Sequence, residues 1–186
     1  MPSLEEVAKE AACCTKCRLA ETRTRVVFGS GDPKAGLMFV GEGPGAEEDR
    51  QGLPFVGRSG QLLDRLIEEE LGVGRADCYI ANVVKCRAPG NRDPLPDEIE
   101  ACRPYLAAQL ALVDPRVIIT LGNFATRSLL QRSEGITALR GQSYPLGRAS
   151  VVPTFHPAAA LRGGGLVTAQ MRADLVRAKQ LLSPAR

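Results

Sequence analysis

The chain has no tryptophan, a single histidine and only five phenylalanines and three tyrosines among its 186 residues. Aromatic side chains make up 4% of the whole, too few for a broad platform on which successive bases of a single strand would stack. Long apolar runs are missing as well. None approaches the roughly 20 residues needed to span a bilayer, so no membrane role is expected. The opening MPSLEEVAKEAA is acidic and has no apolar signal core; no export signal is read, and a cytoplasmic protein is expected. A large charge excess is also lacking: 24 Lys and Arg against 21 Asp and Glu leave +3. That balance permits a nucleic-acid partner without demanding one. Arginine dominates the cations, and its planar fork suits phosphate. What is present is ordinary globular material, 44% hydrophobic and 24% charged. The length suits one domain over 1–186 with a substantial core, expected to be a monomer.

Apolar periodicity alternates between two kinds of element. SLEEVAKEAACC reads as a helix with Ser3 as N-cap and Glu6 completing a capping box. GLMFVGE, CYIANVV, RVIITLG and SVVPTFHP read as short buried strands. Between and after them, SGQLLDRLIEEEL, DEIEACRPYLAAQLALV, NFATRSLLQ and VTAQMRADLVRAKQLL read as helices. In the first of these, Ser59 is a candidate cap, Gly72 the stop, and Leu62, Leu63, Leu66 and Ile67 one stripe. The expected product is an α/β three-layer sandwich around a central four-stranded, mostly parallel sheet. Ligands in such sheets sit beyond the carboxyl ends of the strands. Four unusual segments fall there: GEGPGAEEDRQGLPFVGRSG, ANVVKCRAPGNR, LGN and TFHP, the last holding the lone His156.

Six cysteines in a chain without an export signal point to metal or catalysis rather than disulfides. CCTKC offers Cys14 and Cys17 as a C-x-x-C pair; Cys86 follows the second strand and Cys102 lies on the next helix. Zinc usually shows two tight pairs, whereas a 4Fe–4S cluster accepts distributed spacing. The expected ligands are Cys14, Cys17, Cys86 and Cys102, holding a 4Fe–4S cluster with zinc as the alternative; buried, unliganded thiols are the competing reading. Cys78, on the second strand, reads as core.

The loop GEGPGAEEDRQG follows the first strand but lacks the lysine and the glycine spacing of nucleotide-phosphate loops. Its acidic residues would repel a triphosphate. A carboxylate here can instead meet positive charge developing on a sugar, or position a water. This loop, its continuation LPFVGRSG, the segments NVVKCRAPGNR and HPAAAL, and the four cysteines resemble the family 4 uracil-DNA glycosylases, the iron–sulfur members of the uracil-glycosylase superfamily. The resemblance runs from Cys14 to the closing helix.

It implies a monofunctional glycosylase that hydrolyses the bond between uracil and deoxyribose in DNA, leaving an abasic site for base excision repair, with uracil-containing DNA as partner and the cluster structural. By the same resemblance, His156 donates to the uracil oxygen where negative charge collects, Phe55 stacks on the extruded base and Asn82 reads its edge. Glu42 and Gly43 form the catalytic segment of the first motif, Glu42 stabilising the sugar cation or positioning water. Glu48 has a supporting role, Asn91 lies in the loop nearest the pocket, and Arg162 belongs to a loop that presses on DNA. Arg58, Ser59 and Gly60 open a helix whose amides suit a phosphate. Blander readings stand beside these: a core aromatic, a strand-end amide, a surface carboxylate, turn chemistry at Asn91, a cap at Ser59, a flexible loop at Arg162. A non-turnover uracil-DNA binder is a competing function, although its known kind uses a histidine that the 86–102 loop lacks. A glycosylase for a wider range of deaminated bases and a cysteine-metal interaction module are two more.

Overall fold

The computed structural model of the chain describes residues 2–183. Helix α1 (Leu4–Ala12) opens on the expected capping box: Ser3 Oγ accepts from the Glu6 amide at 3.2 Å, and the Ser3 amide donates to Glu6 at 2.7 Å. Strands β1 (Ser30–Gly31) and β2 (Leu37–Gly41) follow, then helices α2 (Ala46–Gln51) and α3 (Arg58–Leu66), the latter continued by a wider turn over Ile67–Leu71. Gly72 stops this run at φ 69°, as a C-cap glycine does. Its N-cap is Gly57 rather than Ser59, which sits inside the first turn. Next come β3 (Tyr79–Asn82), α4 (Pro96–Val113), β4 (Val117–Leu121), α5 (Asn123–Leu130) and α6 (Ile136–Leu139). The chain closes with β5 (Tyr144–Leu146), β6 (Ala149–Thr154), α7 (Pro157–Gly163) and α8 (Gly165–Leu182). Pro104 lies within α4 without breaking it, on the exposed face.

The expectation of a four-stranded sheet is corrected. The sheet has six strands in the order β1-β3-β2-β4-β6-β5 and is mixed. The four anticipated strands form its parallel centre, β3-β2-β4-β6. Two short antiparallel strands, β1 and β5, cover the edges. Neither was legible because two or three residues carry no period, and both are only partly buried or exposed. Short edge strands of this kind shield the open sheet from pairing with other chains.

Alternation along the strands divides the core between the two faces. Leu37, Phe39, Ile80, Ile119 and Val152 face α3, α7 and α8, meeting Leu63, Leu66, Met171 and Leu175. Met38, Val40, Ala81, Ile118 and Val151 face α1, α4 and α5, meeting Val7, Leu106, Tyr105 and Ala125. Cys78 belongs to the first group, fully buried, and burial pushes its thiol up to about 12.

One buried ion pair braces the last strand. Asp174 on α8, 1% exposed, accepts from Arg140 Nε at 3.0 Å and Nη2 at 2.9 Å, and from the Thr154 hydroxyl at 2.7 Å. Removing one partner of such a pair leaves the other charge uncompensated. Asp174→Ala is expected to lower the unfolding free energy by about 3–5 kcal/mol in denaturant titration. Replacing the exposed Arg177 on the same helix by alanine should change it by less than about 0.5 kcal/mol.

Candidate active site

The parallel register brings four strand ends to one edge: Gly41 pairs with Asn82, and Leu121 with Thr154. The chain passes from β2 outward to β3, then returns across β2 to β4, so the loops diverge at this edge and leave a crevice. A cleft of about 870 Å³ lies there. Of the non-cysteine residues singled out from the sequence, Glu42, Gly43, Glu48, Phe55, Arg58, Ser59, Asn82, Asn91, His156 and Arg162 line it, and Gly60 does not.

His156 is the N-cap of α7. Its Nδ1 accepts from the Ala158 amide at 3.1 Å, which leaves the ring proton on Nε2. Burial, helped by the nearby Arg162 guanidinium and opposed by Glu48, pushes the imidazole down to about 4. At neutral pH the ring is therefore an uncharged donor of fixed tautomer. Phe55 lies beside it, ring centroids 5.6 Å apart and tilted by 34°.

Asn82 ends β3 and is 1% exposed. Its Oδ1 is buried and, among the described residues, is the one buried side-chain nitrogen or oxygen without a hydrogen-bond partner. An orphaned acceptor of this kind costs about 1–3 kcal/mol, so its presence at the floor of a cleft marks a place where a ligand donor belongs. Gly41 makes the arrangement sterically feasible. A Cβ there would stand 2.5 Å from Asn82 Oδ1 and 2.6 Å from Phe55 Cζ.

The carboxylates differ in what they do. Glu42 is half-buried at the end of β2, and burial, with a smaller push from Asp93, raises its pKa. Glu48 is committed to the backbone: Oε1 accepts from the Val56 and Gly57 amides, both at 3.0 Å. Asn91 stands exposed at the rim with φ 55°, its Oδ1 accepting from Arg87 Nε at 2.7 Å. Arg162 is exposed on α7.

The signature of the Uracil DNA glycosylase superfamily matches residues 28–178. The chain belongs to that superfamily. Within it, the chain is 48% identical over 169 residues to a type-4 uracil-DNA glycosylase of Sulfurisphaera tokodaii, covering 87% of this chain and 77% of that protein. It is 47% identical over 161 residues to a type-4 enzyme of Thermotoga maritima, covering 86% and 83%. A type-5 uracil-DNA glycosylase of Thermus thermophilus is 30% identical over 177 residues, covering 84% and 80%.

The metal expectation is corrected. Cys14, Cys17, Cys86 and Cys102 do border one small cavity between α1 and α4. Among the described residues, however, no group of three or more His, Cys, Asp or Glu side chains is arranged to hold a metal ion. Neither the 4Fe–4S cluster nor zinc fits the residues as they stand, and the iron–sulfur part of the resemblance lapses with them. The inner thiols have other partners: Cys102 Sγ accepts from the Lys85 amide at 3.3 Å, and Cys86 Sγ from Arg23 at 3.5 Å. Burial raises both, Cys86 to about 11, which favours thiol over thiolate.

Three residues escaped the sequence reading. Arg75 donates to the carbonyls of Pro54 and Phe55. Lys85, 1% exposed, donates to the Asn82 carbonyl at 2.7 Å. Asp93 lines the cleft near Glu42. Each acts on a partner distant in sequence or through the backbone, and no local pattern signals that. Among the described residues, no helix is long and apolar enough to cross a membrane.

The state of His156 leaves a thermodynamic signature. Its folded pKa of about 4 lies below the unfolded value of 6.5, so the unfolded chain binds the proton more readily. The neutral ring's contribution is complete above pH 6.5 and is lost as pH falls from 6.5 toward 4. Unfolding midpoints measured across that window should decline with acid in the parent protein and decline less in His156→Asn.

Proposed function

We propose that the chain hydrolyses the N-glycosidic bond of deoxyuridine in DNA, releasing free uracil and leaving an abasic site for base excision repair. The observation that carries the reading is the orphaned acceptor of Asn82 in the cleft of a uracil-DNA glycosylase superfamily member. Uracil offers an N3–H to that oxygen and a carbonyl to the amide nitrogen. Against the amide orientation of the structure, cytosine presents an acceptor at N3 to Oδ1 and a donor to Nδ2, so both amide atoms would be left unpaired.

A base inside a duplex is out of reach, so the nucleotide is extruded into the cleft. Phe55 offers a face for the pyrimidine ring. As the glycosidic bond lengthens, electrons pass to the uracil and the sugar becomes cationic. The Nε2–H of His156 meets the carbonyl oxygen on which the negative charge collects. A neutral imidazole suits this role, because it donates a hydrogen bond without surrendering its proton to a weak base. On the sugar side, Glu42 opposes the positive charge and, with Asn91 at the rim, orients the water whose oxygen bonds to C1′; the proton that water loses passes to the Glu42 carboxylate and on to solvent, from which the uracil anion takes up a proton. We assign Arg162 and the amides at the start of α3 near Ser59 to the backbone phosphates, since all line the cleft.

Purified protein should release uracil from uracil-containing DNA, and His156→Ala should lower kcat by about 10²–10³, the usual effect of removing one such donor. Failure of the parent protein to release uracil, scored by product chromatography, would overturn the reading. Glu42 sets a second expectation. It acts ionised, its pKa is raised, and activity therefore falls as pH drops through that value. Asp93→Asn should move the acid limb of the kcat/KM profile to lower pH, while Glu42→Gln should abolish the limb together with most of the activity.

A further inference from the structure

We infer that Arg75, together with Glu48, is a positioning residue that holds the Phe55 ring in the cleft before any base arrives. The inference rests on the proposed function, since it assigns the ring a base to receive.

Phe55 adopts φ 51°, a left-handed backbone that a bulky residue avoids unless its surroundings over-determine it. The surroundings do so from two sides. Ahead of the ring, the Arg75 guanidinium donates to the carbonyls of Pro54 and Phe55. Behind it, the Glu48 carboxylate accepts from the amides of Val56 and Gly57. The four polar groups that neither helix nor strand could satisfy in this segment are thus taken by one cation and one anion. Asp64 on α3 orients the guanidinium, 3.2 Å from Nη1. Gly60 permits the close seat of α3 beneath the segment, because a Cβ there would fall 1.8 Å from the Phe55 carbonyl oxygen. Arg75 sits on the turn Arg75–Asp77 that leads into β3 and is not part of the cleft lining. Any effect it has on a bound base therefore passes through Phe55.

Glu48 lines the cleft, so a direct role for its charge in the reaction is the rival explanation. The two accounts differ in what glutamine does. An amide oxygen still accepts from both backbone amides but carries no charge.

A double-mutant cycle on kcat/KM for uracil release tests the clamp. Arg75→Ala should cost about tenfold or more, chiefly through KM, because a single base stacked on an aromatic ring is worth that much. In a Phe55→Ala background the same change should cost less than about twofold, since coupled residues are non-additive where independent ones add. Glu48→Gln should stay close to the parent and Glu48→Ala should resemble Arg75→Ala. Equal cost of Arg75→Ala in both backgrounds, or equal loss in Glu48→Gln and Glu48→Ala, would overturn the inference.

A second measurement needs no activity. Uniform fluorophenylalanine labelling gives five resonances, and loss of one in Phe55→Leu identifies the ring. Arg75→Ala should broaden or shift that signal while leaving the other four and the melting temperature nearly in place. An unchanged Phe55 signal would sink the clamp. A parent protein that releases no uracil would sink the proposed function instead, and the fluorine spectrum would still decide the clamp.

Discussion

Parallel pairing at the middle of the sheet is the constraint from which the cleft follows. Four neighbouring strands running the same way must end at the same edge, and the register sets Gly41 opposite Asn82 and Leu121 opposite Thr154. Each strand then delivers one loop to that edge, and the reversal of strand order between β3 and β4 prevents those loops from closing over it. Residues 42, 55, 82, 91, 156 and 162, scattered over most of the chain, are brought to one edge in this way. Both faces of the sheet are buried under helices, so this edge is where polar groups and a ligand can share space.

Within the cleft the polar atoms are arranged by burial and backbone contact rather than by charge pairing. His156 is neutral because it is buried, and its tautomer is set by the Ala158 amide. Asn82 ends β3 beside Gly41 with its oxygen unsatisfied. Such groups cost stability in the empty protein, and in the proposed function a matching pyrimidine edge relieves that cost on binding. The charged side chains of the same region do supporting work: Glu48 and Arg75 grip the Phe55 segment, and Lys85 holds the carbonyl of Asn82.

Local patterns were readable where one period governs a whole element. The four parallel strands, the capping box at Ser3, the stripe from Leu62 to Ile67 and the Gly72 stop all stand in the structure as the spacing indicates. The edge strands β1 and β5 were not, because they are too short to show alternation and are held by pairing to distant residues. The helix after Gly57 starts without a side-chain cap, so Ser59 looked like a boundary and is an interior position. The cysteine spacing suggested a metal centre, whereas the described residues contain no metal-holding group and the inner thiols are buried against Lys85 and Arg23. Spacing lists which thiols are available; their mutual geometry depends on how α1 packs on α4.

Sequence by itself determined the four parallel strands, the long periodic helices and the inventory of reactive side chains, because these depend on neighbours a few residues apart. It also pointed to the superfamily, since the motifs are contiguous strings. Only the tertiary structure decided the protonation of His156, the orphaned state of the Asn82 oxygen and the commitment of Glu48 to backbone amides. Those are consequences of desolvation and of contacts between segments remote in the chain, and neither exists until the sheet has brought the strand ends together.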